Sequence, residues 1–143
     1  MTTKKRQLAA IMFTDIVGYT AMMQTNEQSA VVAVNRHEEV LEAAVAEQNG
    51  EVLQYYGDGS LSIFSSAVGA VNSAIKIQEE LRVGHVVPLR IGIHIGEVSF
   101  NDGKVFGDGV NIASRIESLG QTGTVLFSRH VFDKIRNKPG SIF

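Results

Sequence analysis

The chain of 143 residues has the length of one domain, and its composition of 44% hydrophobic and 20% charged residues is typical of globular proteins. A net charge of −2, with no basic run beyond "KKR" at residues 4–6, argues against nucleic acid as the main partner. The absence of cysteine excludes disulfides and thiolate chemistry and fits the cytoplasm, and the apolar runs are too short for a membrane segment or signal peptide.

Hydrophobic periodicity and turn residues predict the elements of the chain. In order, they are a strand at 8–14, a helix from about 25 to Gly50, a hairpin at 51–64, a helix from Ala67 to about Arg82, a strand at 88–100 turning at Gly96, a loop at 101–109, a helix at 110–120, a strand at 124–128 and a helix at 129–136. Thr25 is predicted to cap the first helix, and "GDG" to form the hairpin turn. No element is predicted after residue 136.

This order contains a βαββαβ core, so the predicted fold is α+β, an α/β sandwich with a ferredoxin-like sheet and helices on one face. No internal repeat or low-complexity linker interrupts the chain. We therefore expect residues 1–143 to form a single domain, with its core at about 8–136.

Two acids occupy the ends of predicted strands. Asp15 follows the first strand, and Asp58 lies in the hairpin turn. In a βαββαβ sheet the first strand is central and adjoins the hairpin, so these carboxylates are expected to lie side by side. Close carboxylates repel each other unless a cation lies between them, and such ligands suit Mg²⁺ or Mn²⁺ with phosphate oxygens completing the shell. The alternative is that Asp15 is a helix cap and Asp58 only a turn residue.

Two further segments carry groups suited to phosphate. Residues 16–20 form a turn of small residues before a helical segment, and their backbone N–H groups can cradle phosphate. Asn111 and Arg115 lie four residues apart on one helical face, with Ile112 and Ile116 expected to face the core. A guanidinium is well matched to the charge that grows on a phosphoryl group. The alternative is an exposed polar face without function.

Four segments together resemble the catalytic domain of class III adenylyl and guanylyl cyclases. They are "FTDIVGYT", "YYGDGSLSIF", "LRIGIHIGEV" and "VFGDGVNIASRIESLG", in the family's order over about residues 8–136. The resemblance implies conversion of a nucleoside triphosphate, with ATP favoured and GTP also considered, to a 3′,5′-cyclic nucleotide and pyrophosphate. It also implies a homodimer with active sites shared between protomers and two Mg²⁺ or Mn²⁺ ions in each.

The resemblance also implies roles for individual residues. They are Asp15, the Ile16 backbone carbonyl and Asp58 for the metals; Val17, Gly18, Tyr19 and Thr20 for phosphate; Asn111 and Arg115, from the other protomer, for the ribose and the α-phosphate; and Gln54 and Lys104 for the base.

The base-reading positions depart from the pattern of either cyclase branch. Gln54 stands where adenylyl cyclases usually have Lys, and Lys104 where they have Asp or Thr. A Gln amide can donate and accept hydrogen bonds, so ATP, GTP and a pyrimidine nucleotide all stay open as substrates. The family's C-terminal strand pair has no match and is expected to be missing. The alternative functions are a non-catalytic cyclase-like module that binds nucleotide or dimerises, and another palm-type enzyme that makes a different phosphodiester.

Overall fold

The computed structural model describes residues 5–136 and residue 138. The elements are β1 (Lys5–Ile16), α1 (Tyr19–Thr25), α2 (Glu27–Glu47), β2 (Glu51–Tyr56), β3 (Gly59–Phe64), α3 (Ala67–Leu81), β4 (Leu89–Asn101), β5 (Lys104–Phe106), α4 (Asp108–Leu119), β6 (Val125–Phe127) and α5 (Arg129–Ile135). The expectations for residues 137–143, including the missing C-terminal strand pair, fall outside the described residues apart from Lys138. No helix in the described part combines the length and apolar character needed to cross a membrane.

The sheet has β1 at its centre. Its strand order is β2-β3-β1-β4-β5, and β6 runs parallel to the beginning of β4. β1 pairs antiparallel with β3 on one side and with residues 89–100 of β4 on the other. The predicted ferredoxin-like arrangement is confirmed. The predicted turn at Gly96 is wrong, because β4 continues through this residue, which pairs with Ala9.

Helices cover both faces of the sheet. Met12 of β1 faces the large core formed with α2, α3 and α5, whereas Ile11 and Phe13 face a smaller core formed with α4. This alternation follows from the two-residue period of a strand. The two helices of the βαββαβ core thus share one face, as predicted, while α4 lies on the other face, which the prediction did not anticipate.

Two glycines bring α4 unusually close to β4. A Cβ atom on Gly92 would lie 2.3 Å from the backbone nitrogen of Glu117, and one on Gly96 would lie 2.8 Å from the Cα of Gly109. The buried side of α4 includes Glu117, whereas Ile112 is 37% exposed. The expectation that Ile112 faces the core is therefore wrong, because the close contact turns a different side of the helix inward.

The helix predicted from about residue 25 corresponds to α2, and a separate short helix, α1, precedes it. Asn26 separates α1 from α2, and its side chain accepts a hydrogen bond from the Ser29 N–H at 3.2 Å. The predicted cap, Thr25, instead donates its hydroxyl to the Ala21 carbonyl in the last turn of α1. Asn is at least as good an N-cap as Thr, so the competing cap one residue later prevails.

The predicted loop at 101–109 contains the short strand β5. Asp102 and Gly103 adopt left-handed backbone conformations, with φ of 53° and 75°, and they join Asn101 to its partner Lys104. An Asp-Gly pair is a strong signal for a tight hairpin turn, because such turns require positive φ at both central residues. The sequence carried this signal, and the prediction missed it.

Candidate active site

The structure brings Asp15 and Asp58 together. Asp15 ends β1 opposite Gly59, and the N–H of the next residue, Ile16, donates to the Asp58 carbonyl at 2.8 Å. Burial raises the pKa of the Asp15 carboxyl, the Arg90 guanidinium lowers it, and the neighbouring Asp58 carboxylate raises it further, with a net upward shift. Two close carboxylates that disfavour each other's charge form a site that attracts a cation.

A cleft of about 440 Å³ opens beside the two acids. Its walls include Asp15 from β1, Asp58 from the turn between β2 and β3, Asn111 and Glu117 from α4, and Phe106 from β5. The cleft therefore lies between the sheet and α4, and it combines acidic groups, an amide and an aromatic surface. Such a mixture suits a ligand with both polar and apolar parts.

The turn that carries Asp58 needs glycine at residue 59. A Cβ atom on Gly59 would lie 2.3 Å from the Thr14 carbonyl oxygen, whereas a Cβ atom on Gly57 would meet nothing within 4 Å. We expect Gly59→Ala to lower the free energy of unfolding by about 3 kcal/mol, because backbone atoms cannot move aside cheaply. The matched variant Gly57→Ala should change it by less than about 0.5 kcal/mol. Urea denaturation measures both, and equal stabilities would contradict this account of the turn.

Arg90 is a site residue that the sequence prediction missed. Its Nη2 atom lies 2.8 Å from Asp15 Oδ2, and its Nε atom lies 3.1 Å from Glu117 Oε2. Burial raises the pKa of Glu117 to about 7; the charge of Asp15 adds to this shift, and Arg90 opposes it. The guanidinium thus bridges two carboxylates at the cleft. A charged residue inside the apolar run "LRIGIHIG" was the signal in the sequence.

One of the backbone N–H groups predicted to bind phosphate already forms a hydrogen bond within the chain. The N–H of Val17 donates to the Pro88 carbonyl at 2.9 Å, so this group is already paired. Gly18 adopts a left-handed conformation with φ of 74° and precedes α1, whose first hydrogen bond runs from the Met22 N–H to the Gly18 carbonyl. The N–H groups of Gly18, Tyr19 and Thr20 precede that bond, and their phosphate role stays a prediction.

The predicted catalytic pair is divided. Asn111 lines the cleft beside Asp15 and Asp58 of its own chain. Arg115 is exposed and, among the described residues, is not one of those that line this cleft. Arg115 lies one helical turn after Asn111, and the guanidinium is therefore not among the groups that form the cleft of its own chain.

The predicted base-reading residues lie near the cleft without lining it. Gln54 is exposed on β2, two residues before Tyr56, and alternation along the strand places both on the side of the cleft. Lys104 is exposed at the start of β5, where the next two residues, Val105 and Phe106, line the cleft. Both roles stay predictions.

A buried polar cluster lies behind the acids, on the face of the sheet that α2 covers. The Thr14 hydroxyl is 2.8 Å from His37 Nε2 and 2.5 Å from Ser60 Oγ. Burial lowers the pKa of His37 to about 4, although the nearby Asp58 carboxylate acts in the opposite direction, so the imidazole is neutral near pH 7. The sequence analysis did not single out any of these residues, because their contact depends on the pairing of distant segments.

The described residues contain no cluster of three or more His, Asp or Glu side chains arranged to hold a metal ion. The candidate metal ligands are therefore the two carboxylates of Asp15 and Asp58 together with backbone carbonyl oxygens. Hard divalent cations such as Mg²⁺ are often held by one or two carboxylates, with water and substrate phosphate completing the shell. The ligands at the cleft fit that pattern.

The chain is similar to known proteins over most of its length. Residues 1–141 match the family described as adenylate and guanylate cyclase catalytic domain. The "Putative adenylate cyclase 3" of Rhizobium meliloti (strain 1021) is 36% identical over 142 residues, which cover 94% of this chain but only 24% of that protein. The crystal structure of an adenylate/guanylate cyclase/hydrolase from Silicibacter pomeroyi is 32% identical with a TM-score of 0.79, covering 92% of this chain and 81% of that chain.

A further solved structure supports the fold alone. The guanylate cyclase domain of RhGC from Catenaria anguillulae, in complex with GTP, is 24% identical with a TM-score of 0.83. The match covers 94% of this chain and 85% of that chain. The described strands and helices therefore share the fold of that structure.

Proposed function

The chain belongs to the adenylate and guanylate cyclase catalytic domain family, and on that premise we propose that it converts a nucleoside triphosphate to a 3′,5′-cyclic nucleotide and pyrophosphate. The observation that carries this proposal is the pair of adjoining carboxylates, Asp15 and Asp58, at a cleft that Asn111 also lines. ATP is the favoured substrate, and GTP is the alternative. We also propose that the chain is a single cyclase domain acting in the cytoplasm.

The proposed cofactor is a pair of Mg²⁺ or Mn²⁺ ions held by Asp15, Asp58 and the backbone carbonyl of Ile16. The fit rests on the charge repulsion between the two acids and on Arg90, which already provides Asp15 with a cationic partner. When bound, the ions would favour deprotonation of the ribose 3′-hydroxyl and stabilise charge on the leaving pyrophosphate.

The side chains around the cleft would position the reacting atoms. The Asn111 amide would hold the ribose so that its 3′-oxygen faces the α-phosphorus, since alignment of reactants accounts for much of such a rate acceleration. Arg90 would be free to contact phosphate oxygens once Asp15 has another cationic partner, while Glu117 holds the guanidinium at the cleft. Gly18, Tyr19 and Thr20 would contact the triphosphate through backbone N–H groups.

We propose a homodimer as the active form. Arg115 is exposed and does not line the cleft of its own chain, so it would act on a substrate held by the partner. Exposed apolar side chains on the same region of the molecule, Phe106, Ile112 and Leu119, support an interface there. In the partner's cleft the guanidinium would stabilise the charge that grows on the α-phosphate.

Incubating the purified chain with Mn²⁺ and each nucleoside triphosphate tests the proposed function. A 3′,5′-cyclic nucleotide and pyrophosphate in equal amounts are the expected products. A linear phosphodiester product would instead support the palm-type alternative. Nucleotide binding without turnover would indicate the non-catalytic module and contradict the proposal.

Discrimination between purines is expected to be weak. By rotating, an amide such as that of Gln54 can form hydrogen bonds with the edge of either purine. The wrong base therefore costs little transition-state stabilisation. We expect kcat/KM for ATP and GTP to agree within about tenfold, which is about 1.4 kcal/mol. Gln54→Lys combined with Lys104→Asp should shift the preference toward ATP, because an acceptor then becomes available to the adenine amino group.

Steady-state kinetics of both proteins measure this selectivity. Lys134→Asp, at an exposed position on α5, is the control for the change of charge and should leave the preference unaltered. A wild-type preference above about a hundredfold, or a double variant with the wild-type preference, would show that these residues do not read the base.

A further inference from the structure

The cluster of Thr14, Ser60 and His37 connects three separate segments directly behind the two acids. Thr14 precedes Asp15 in β1, and Ser60 follows the Asp58 turn by two residues. His37 reaches them from α2 and is 2% exposed. The Thr14 hydroxyl contacts both partners, so a single atom lies at the junction of β1, β3 and α2.

We propose that this hydrogen-bonded cluster is a positioning device that holds the two acids at the spacing needed to bind a divalent cation. The proposal rests on the proposed function, in which Asp15 and Asp58 are the metal ligands. Thr14, Ser60 and His37 contact neither nucleotide nor metal in this account. They act through the backbone of the residues beside them.

The strand register shows how the cluster sets that spacing. Thr14 pairs with Ser60 and Asp15 pairs with Gly59, so the side-chain bond lies one pair from the acids. Beyond that pair, the backbone hydrogen bond from the Ile16 N–H to the Asp58 carbonyl also joins the two segments. Thr14 is among the residues that line the cleft, but neighbouring side chains of a strand alternate between faces, so its hydroxyl bonds to Ser60 and His37 on the opposite face and stiffens the site from there.

A neutral imidazole suits this position. The Thr14 hydroxyl can donate to one partner and accept from the other, and neutral His37 can take either role through Nε2. The chain of hydrogen bonds can therefore be completed in either direction. A protonated His37 could only donate a hydrogen bond through Nε2. Its positive charge would also oppose the binding of a metal ion by the acids.

The same strand provides a matched control. Ser60 and Ser62 are two residues apart in β3, both are fully buried, and they lie on the same face of the sheet. Ser60 Oγ bonds to Thr14, whereas Ser62 Oγ has no hydrogen-bond partner within the described residues. Replacing either serine with alanine removes one buried hydroxyl group, but only Ser60→Ala breaks a hydrogen bond of the cluster.

The experiment titrates the full chain with Mn²⁺ alone and measures free Mn²⁺ by electron paramagnetic resonance. We expect Ser60→Ala and Thr14→Val to weaken Mn²⁺ binding by about tenfold or more, since outer partners of metal ligands commonly have effects of that size. Thr14→Ser, which keeps the hydroxyl, and Ser62→Ala should stay within about twofold of wild type. Circular dichroism confirms that each variant is folded.

Mn²⁺ affinities that are equal in wild type, Ser60→Ala and Thr14→Val would overturn the proposal. A loss in Ser62→Ala as large as in Ser60→Ala would do the same, because it would indicate general loosening of the core. If Thr14→Val does not fold, Ser60→Ala still tests the proposal, because it removes the other hydroxyl of the same hydrogen bond. Steady-state kinetics should show a higher metal requirement in Ser60→Ala and a smaller change in the nucleotide KM.

The two proposals can fail separately. A wild-type chain that binds Mn²⁺, is sensitive to Ser60→Ala and forms no cyclic product would refute the proposed function and leave the positioning role intact. A chain that forms cyclic product and binds Mn²⁺ equally well with Ser60→Ala would refute the positioning role alone. Absence of Mn²⁺ binding by the wild type would overturn the positioning role, and the formation of cyclic product would then decide the proposed function by itself.

Discussion

Replacing Asp15 or Asp58 with alanine is expected to lower cyclic-nucleotide formation by at least about a thousandfold, or about 4 kcal/mol of transition-state stabilisation. Each variant would leave one carboxylate where two are needed to hold hard cations. The fold should survive, because burial and the neighbouring Asp58 charge already raise the pKa of Asp15 and disfavour its ionised form. Product formation with Mn²⁺ and the thermal unfolding temperature are the measurements.

Asp133→Ala is the control for these variants. Asp133 is an exposed acid on α5 that pairs with Arg129 at 3.1 Å, remote in sequence from the cleft residues. It should retain full activity. An Asp15→Ala or Asp58→Ala chain that keeps activity within about tenfold of wild type would contradict the assignment of the metal ligands.

Mixing Asp15→Ala chains with Arg115→Ala chains is expected to restore activity that neither has alone. In a mixed dimer, one site would lack both groups and the other would be intact. Random exchange makes half of the dimers mixed, so about a quarter of wild-type activity should return. The reason is that Arg115 does not line the cleft of its own chain, and the proposal assigns it to the partner's substrate.

A mixture of Asp15→Ala with Asp58→Ala chains is the control. Both changes damage the metal site, so every site of the mixed dimer keeps one defect and no activity should return. Copurification of differently tagged chains establishes that exchange has occurred. Exchange without recovery in the Asp15→Ala and Arg115→Ala mixture would favour a site within one chain, for which the position of Asn111 in the cleft already provides a starting point.

Local patterns predicted most of the fold. The apolar run before Asp15 and the "GDG" turn located β1, β2 and β3, because strand period and turn chemistry are properties of neighbouring residues. The boundaries failed where two local signals competed. Thr25 and Asn26 are both suitable caps, and "NDG", which is typical of a loop as well as of a tight turn, forms a hairpin turn.

The pairing of the two acids was predictable for the same reason. Once a βαββαβ order is recognised, the end of the first strand and the hairpin turn must adjoin, and the structure brings Asp15 and Asp58 together. The contacts of the acids were not predictable. Arg90 is 75 residues from Asp15 along the chain, and it reaches the acid only through the register of β1 with β4.

By itself, the sequence determined the family, the order of the main strands and helices, and the position of two acids at adjacent strand ends. Only the tertiary structure decided that Arg90 bridges Asp15 and Glu117, that His37 meets Thr14 behind the acids, and that α4 turns Ile112 outward. The physical reason is that strand period and turn chemistry act between neighbours, whereas register and close helix packing arise between segments far apart in the chain.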